Sequence, residues 1–348
     1  MFQIVAAKSE EVLRKMHSSR GNHWTMAFAP LPETICVKDR RWAKAKPMSS
    51  PSPSVASTVH SPEEILAHPR FPAARAAFVD AVLALHEGDQ FRSRLLVEAM
   101  RQVTFNLIVS LHLRHDVTDR STWATPQRLK DEIRTFGLAS PRRTDALVAR
   151  LVQLGYVDIR ASEHDGRARI LIPTAKMMSL DREWLVYHYT PLHVMFPDPG
   201  YGEPMARDAA FQRAQRLVAL DFSAKGAEIM ANNPSVMRFM GRDSGVLVLI
   251  KLIQMSGAGS AIGLSYSDIG ARFGVSRTHV RALLEDAAEH GDVNLSGRGG
   301  RLVELRPSLL SAFDRFLADA MSGHDLLYKL ARERMAKAQR SALSGKLD

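Results

Sequence analysis

Two stretches of the chain place arginines where they can hold phosphates. Ser140-Pro141-Arg142-Arg143 opens one amphipathic segment, and Ser276-Arg277-Thr278-His279-Val280-Arg281 opens another. A serine at such a position caps a helix. The basic and polar side chains then fall in the first two turns, where the helix N-terminus itself favours phosphate. Arginine can grip guanine bidentately, and threonine and histidine can read bases or hold phosphates. Each segment is followed by two short β-like runs with arginines around their polar tip. These are Arg167 and Arg169, beside Asp165, in VDIRASEHDGRARILI, and Arg298 and Arg301 in VNLSGRGGRLVEL. The chemistry this implies is the positioning and reading of a polyanion.

Side chains of that kind need helices to present them. Leu147, Leu151 and Leu154 recur at helical spacing and make an inner stripe. Arg142, Arg143, Ala146 and Arg150 fall on the opposite face. Further on, Val280, Leu283 and Ala287 point in, and Arg277, Thr278, His279 and Arg281 point out. A supporting helix precedes each. Thr125-Pro126 caps QRLKDEIRTFG, and Ser265 caps SYSDIGARFG with Asp268 as a weaker capping-box partner. A two-stranded hairpin cannot make a core alone. Val157, Ile159, Ile170 and Ile172 are therefore expected to pack on the helices by alternation. Asp165, two residues from Arg167, is expected to hold that guanidinium in one orientation. Arg167 or Arg169 would then enter an adjacent minor groove, where negative potential is strong in A·T tracts. Glycines in the second tip allow a close approach to a backbone.

Aligning Gly155 with Gly291 superposes Ser140 on Ser276, Leu147 on Leu283 and Val157 on Val293. This is an internal repeat of about 136 residues. The pattern predicts a mainly α fold with small β-hairpin wings, built as two tandem winged helix–turn–helix modules. Residues 1–60 are basic and then rich in Pro and Ser, and they read as a poorly ordered arm with one short helix at most, and a linker. Residues 61–197 form the first expected domain and 205–345 the second, separated by FPDPGYGEP. Ser61-Pro62-Glu63-Glu64 marks a helix start. Helical patterns run over about 73–86, 91–115, 205–219, 222–231 and 244–256.

LVQLGYVDIRASEHDGRARILIPTAK resembles the end of the recognition helix and the wing of MarR-type winged-helix transcription factors. Their wing carries Asp-x-Arg, five residues, then Leu-Thr. Asp165, Arg167 and Thr174 match, and Pro173 stands in place of the leucine. The resemblance covers residues 125–176 and implies that Arg167 is the minor-groove residue and Asp165 its partner. The second copy is similar only to a generic winged helix, because GRGGRLVEL lacks the aspartate. Members of that family are single-module chains that dimerise through terminal helices, whereas this chain holds two modules and an arm.

Composition agrees with these expectations. The chain has 348 residues, 45% of them hydrophobic, and a formal net charge of +10. That basic excess points to nucleic acid rather than membrane. Cys36 is the only cysteine, so no disulfide framework or thiolate zinc site is expected. No signal-peptide core opens the sequence, and GVLVLIKLIQM is interrupted by Lys251 and too short to span a bilayer. A cytoplasmic, nucleoid-associated bacterial protein is expected. His112, His115, His188 and His193 lack further ligands at metal-site spacing. Tyr187, Tyr189, Phe196 and Tyr201 read as packing between the modules rather than as a small-molecule pocket. No phosphate loop or catalytic triad is present, and no metal or cofactor is expected. The expected partner is double-stranded DNA, with a homodimer left open and a small-molecule effector without support. The expected function is a sequence-specific transcriptional regulator, not an enzyme. The alternatives are a plasmid-type replication initiator and a winged-helix protein–protein adaptor.

Overall fold

The computed structural model describes residues 59–87, 95–256 and 261–344. The arm, with Trp24, Cys36 and Trp42, lies outside them. The fold is mainly helical, with one two-stranded and one three-stranded antiparallel sheet. Among the described residues no helix is long and apolar enough to cross a membrane.

The first helices of the described residues are α1 (Pro62–Ala67), α2 (Phe71–His86) and α3 (Ala99–Arg114). At α1 the Ser61 hydroxyl accepts from the Glu64 N–H (3.2 Å), and the Glu64 carboxylate accepts from the Ser61 N–H (2.7 Å). This reciprocal capping box satisfies two helix-end donors. The helix expected over 91–115 is interrupted at Val97 and Glu98, where Glu98 is extended; Leu95 and Leu96 before the break are helical, and residues 91–94 lie outside the described residues. Helix α3 is apolar on most of its surface and is correspondingly buried.

Next come α4 (Pro126–Phe136), α5 (Pro141–Gln153), β1 (Val157–Ala161), β2 (Arg169–Pro173) and α6 (Ala175–Met195). Helices α7 (Gly202–Met205), α8 (Ala209–Ala219), α9 (Ser223–Ala231), α10 (Pro234–Met240) and α11 (Gly245–Met255) follow. The segment expected as one helix over 205–219 is broken at Arg207, whose φ is 56°, and Asp208 caps the new start. The last part is β3 (Ile262–Gly263), α12 (Tyr266–Phe273), α13 (Arg277–Glu289), β4 (Val293–Ser296), β5 (Leu302–Leu305) and α14 (Pro307–Ser344). Helix α14 has 38 residues, about 57 Å at 1.5 Å rise per residue.

Two apolar clusters hold these elements. One joins α3, α4, α5 and the first hairpin through Phe105, Ile108, Leu129, Ile133, Leu151 and Leu171. The other joins α11 to α14, and also takes in α1, α2 and the end of α6. Residues 61–86 thus pack with α6, α11 and α14 in one cluster, while α3, α4 and α5 belong to the other.

The first hairpin corrects the expected packing. Val157 pairs with Pro173, Ile159 with Leu171, and Arg160 with Ile170. Paired residues share a face, so Ile170 and Ile172 lie on the opposite face from Val157 and Ile159. Val157, Ile170 and Leu171 are buried and Ile172 packs against the same cluster, so of the four residues expected to pack only Ile159, 41% exposed, departs. The Leu171 N–H also donates to the Ala124 carbonyl (2.8 Å), which acts as a one-bond third strand. In the second sheet that third strand is complete, in the order β3-β5-β4.

Candidate nucleic-acid interface

In the second half, Ser265 caps α12 and Ser276 caps α13, accepting from the His279 N–H at 3.0 Å. Val280, Leu283, Leu284 and Ala287 are buried, which turns Arg277, Thr278 and Arg281 outward. Gly274 ends α12 in the left-handed conformation, and only Val275 and Ser276 separate it from α13. So tight a turn brings the Val275 carbonyl against α12. A Cβ on Gly270 would stand 2.5 Å from that oxygen, so the position admits only glycine. Beside α13 the tip between β4 and β5 is tethered by the Tyr266 hydroxyl, which donates to the Gly300 carbonyl. Gly300 has a φ of +70°, and a Cβ there would lie 3.1 Å from the same hydroxyl.

These contacts shape a concavity of about 590 Å³ lined by Arg277, Arg281, Arg298 and Arg301, with Ser265 and Ser267 at its edge. Among the described residues Arg277, Arg298 and Arg301 have no acidic partner, so their charge is left for solvent or a ligand. Two expected contact residues already have partners within the chain at the surface. The Arg281 Nε pairs with Glu285 at 2.7 Å, which raises its pKa further. The His279 ring makes a 2.9 Å hydrogen bond with the Asp243 carbonyl at the surface, which occupies one ring nitrogen.

The first half repeats the layout with different electrostatics. Ser140 caps α5, and Leu147, Val148 and Leu151 are buried. Arg142 is exposed and has no acidic partner among the described residues, while Arg150 bonds Gln153 at 3.4 Å. Arg143 is tied at 3.0 Å to Glu98, whose side chain is buried. Burial raises the Glu98 pKa, with Arg101 and Arg143 pulling it back down. Arg101 also pairs with Asp243 at 2.8 Å. A chain of contacts thus runs from Arg143 through Glu98, Arg101 and Asp243 to His279, joining the starts of α5 and α13.

At the first tip Asp165 does not hold the Arg167 guanidinium. One carboxylate oxygen accepts from the Arg167 backbone N–H (3.1 Å), and the other pairs with Arg120 at 2.7 Å. A two-residue spacing in a tight turn brings the carboxylate to the backbone before the long side chain can fold back. The Arg167 and Arg169 side chains are exposed and without acidic partners among the described residues.

Glu98, Arg101, Arg120 and Asp243 had no signal in the sequence beyond a lone acid next to an apolar run at Glu98. The histidines set aside serve the packing. His115 stacks on Trp123, the His193 Nδ1 accepts from the Tyr201 N–H (3.2 Å), and His188 lies 3.9 Å from Trp184. No group of three or more potential metal ligands is gathered among the described residues. Tyr189 and Tyr201 pack on Tyr328, and the Tyr201 hydroxyl donates to Asp325 at 2.8 Å. No protein-family model, curated protein or solved structure matches the chain.

Proposed function

We propose that the chain is a sequence-specific DNA-binding transcriptional regulator without catalysis, which grips duplex DNA with two unlike winged helix–turn–helix modules. The observation that carries this is the concavity at the start of α13, where Arg277, Arg298 and Arg301 converge unpaired. Three uncompensated guanidiniums beside an exposed helix N-terminus suit a phosphodiester backbone. The sheet order β3-β5-β4 after α11 supports the winged-helix reading of that half. In the first half, Arg142, Arg167 and Arg169 are the unpaired cations on the corresponding elements.

The two helices begin with different residues, so the two modules would read different half-sites, and the operator of a monomer would be non-palindromic. The test is a titration of the full chain against duplex DNA at several salt concentrations. With about eight phosphates neutralised, log K should fall with log salt at a slope of about −7. Absent or salt-insensitive binding overturns the proposal.

A further inference from the structure

We propose that the cleft between α3, α8, α9 and α14 binds a small, neutral, planar ligand that carries an adjacent hydrogen-bond donor and acceptor, as a lactam does. The cleft measures about 250 Å³. It lies at the seam of the two apolar clusters, with Val103, Leu107 and Phe136 on one wall and Phe316 and Leu327 on the other. Seams between packed units are common places for ligand sites.

The polar groups at the cleft define the ligand. Gln215 lines it and is fully buried, yet neither its Oε1 nor its Nε2 has a hydrogen-bond partner. An orphaned amide inside a fold is costly unless something completes it. The Tyr189 phenol, which feels this amide, already donates to the His324 carbonyl at 3.0 Å. An amide presents one donor and one acceptor side by side, so its complement is another such pair. The His324 Nδ1 is likewise without a partner and lines the same cleft. Burial, helped by the nearby Arg216 charge, pushes the His324 pKa down to about 3, so the imidazole is neutral at ordinary pH.

The charges present do not call for an anion. Arg216 is fully buried, and Asp181 answers its guanidinium with two bonds of 2.7 and 3.1 Å. Lys225 at the edge is paired with Glu228 at 3.0 Å. The Trp184 ring at the cleft is already covered by the Arg216 guanidinium at 4.5 Å and by His188 at 3.9 Å. Phe136, Phe222 and Phe316 make the rest of the lining apolar and suit a flat ring, and a carboxylate has no free cation to meet. This site stands independently of DNA binding.

The experiment is calorimetry on the full chain with three probes: 2-quinolinone, quinoline and 2-naphthoate. 2-Quinolinone should bind saturably and about tenfold more tightly than quinoline, which lacks the donor. Gln215→Leu should abolish that preference while leaving quinoline unchanged. Ala320→Leu, which enlarges a side chain on the α14 wall, should remove binding of both. If Gln215→Leu does not fold, the preference of the native chain and Ala320→Leu decide. Equal affinity for quinoline and 2-quinolinone would mean a mere apolar void. Tightest binding of 2-naphthoate would mean that a cation governs the site. No saturable binding would mean that water alone completes Gln215, and binding retained in Ala320→Leu would place the probe elsewhere. Each of these four results overturns the proposal.

Discussion

Each half leaves three of its expected contact arginines without an acidic partner among the described residues, but only in the second half do they line one concavity. Around α13 three guanidiniums converge on one concavity with no acid to answer them. Around α5 Arg143 is bound by Glu98 and Asp165 at the tip pairs with Arg120, while Arg142, Arg167 and Arg169 stay exposed without lining a common concavity. Charge on a surface is therefore a poor guide to charge available for a ligand. An arginine already bound to a buried carboxylate must lose that partner before it can serve a phosphate. On the proposed DNA-binding reading, the difference would place affinity chiefly in the second half and leave the first half to refine it.

The strongest test of that division removes each set in turn. Replacing Arg277, Arg298 and Arg301 together with alanine should weaken DNA binding by about a hundredfold or more and flatten the log–log salt slope by nearly 3, about 0.9 per phosphate. Replacing Arg142, Arg167 and Arg169 should cost only about tenfold, chiefly on sites with A·T-rich flanks. Equilibrium titrations on paired sites measure both. An equal or larger loss from the second set would reverse the comparison.

A second difference lies in the turns. The first half has three residues between the end of α4 and its capping Ser140, and the second has two between α12 and Ser276. The extra residue leaves room for the buried Ile133 four positions before Gly137, where the second half has Gly270 four positions before Gly274. Gly270→Ala should therefore destabilise the chain by about 2–3 kcal/mol through a backbone clash. Inserting one alanine after Val275 should recover much of that loss. Denaturant unfolding of both variants checks it, and a neutral Gly270→Ala would mean that the turn relaxes freely.

A smaller effect should follow from the tether on the second wing. Tyr266→Phe removes the hydrogen bond to the Gly300 carbonyl and should cost about 1 kcal/mol of stability. DNA affinity should fall severalfold as the Arg298 and Arg301 tip loosens. Unchanged affinity alongside lowered stability would show that the tip is held by other contacts.

Much of this architecture was legible in advance because it is local. Ser61, Thr125, Ser140, Ser265 and Ser276 each cap the helix their residue types announce. The stripes at Leu147 and Leu151, and at Val280 and Leu283, are buried as their spacing requires. Which hairpin residues are covered was not legible, since three isoleucines and a leucine allow either face to turn inward, and in the fold Val157, Ile170 and Leu171 are buried while Ile159 is not. Nor was the state of each arginine, because its partner lies far along the chain. Glu98 is 45 residues from Arg143, Asp243 is 36 from His279, and Arg120 is 45 from Asp165. An outward helical face is a local property, and an unpaired charge is a tertiary one.

The smallest expected effect concerns pH and tests whether Glu98 is what silences Arg143. Burial raises the Glu98 pKa, more strongly than Arg101 and Arg143 lower it. A carboxyl whose folded pKa is raised binds protons more readily in the folded state than in the unfolded chain. Its contribution to stability is thus fullest below the ordinary carboxylate range and declines as pH rises through the raised value. Glu98→Gln removes that titration. The unfolding free energy of the native chain minus that of Glu98→Gln should therefore fall as pH rises from the ordinary carboxylate range through the raised Glu98 pKa. With its carboxylate partner gone, Arg143 should also add up to about 1 unit to the salt slope of DNA binding. The exposed pair in the second half offers the control. Glu285→Gln should leave stability within about 0.5 kcal/mol, since surface pairs contribute little, because Arg281 and Glu285 are both roughly half exposed. A native-minus-variant difference that grows with pH would mean that the two ion pairs outweigh burial. Arg143 would then be held by a strong bond rather than by a reluctant one.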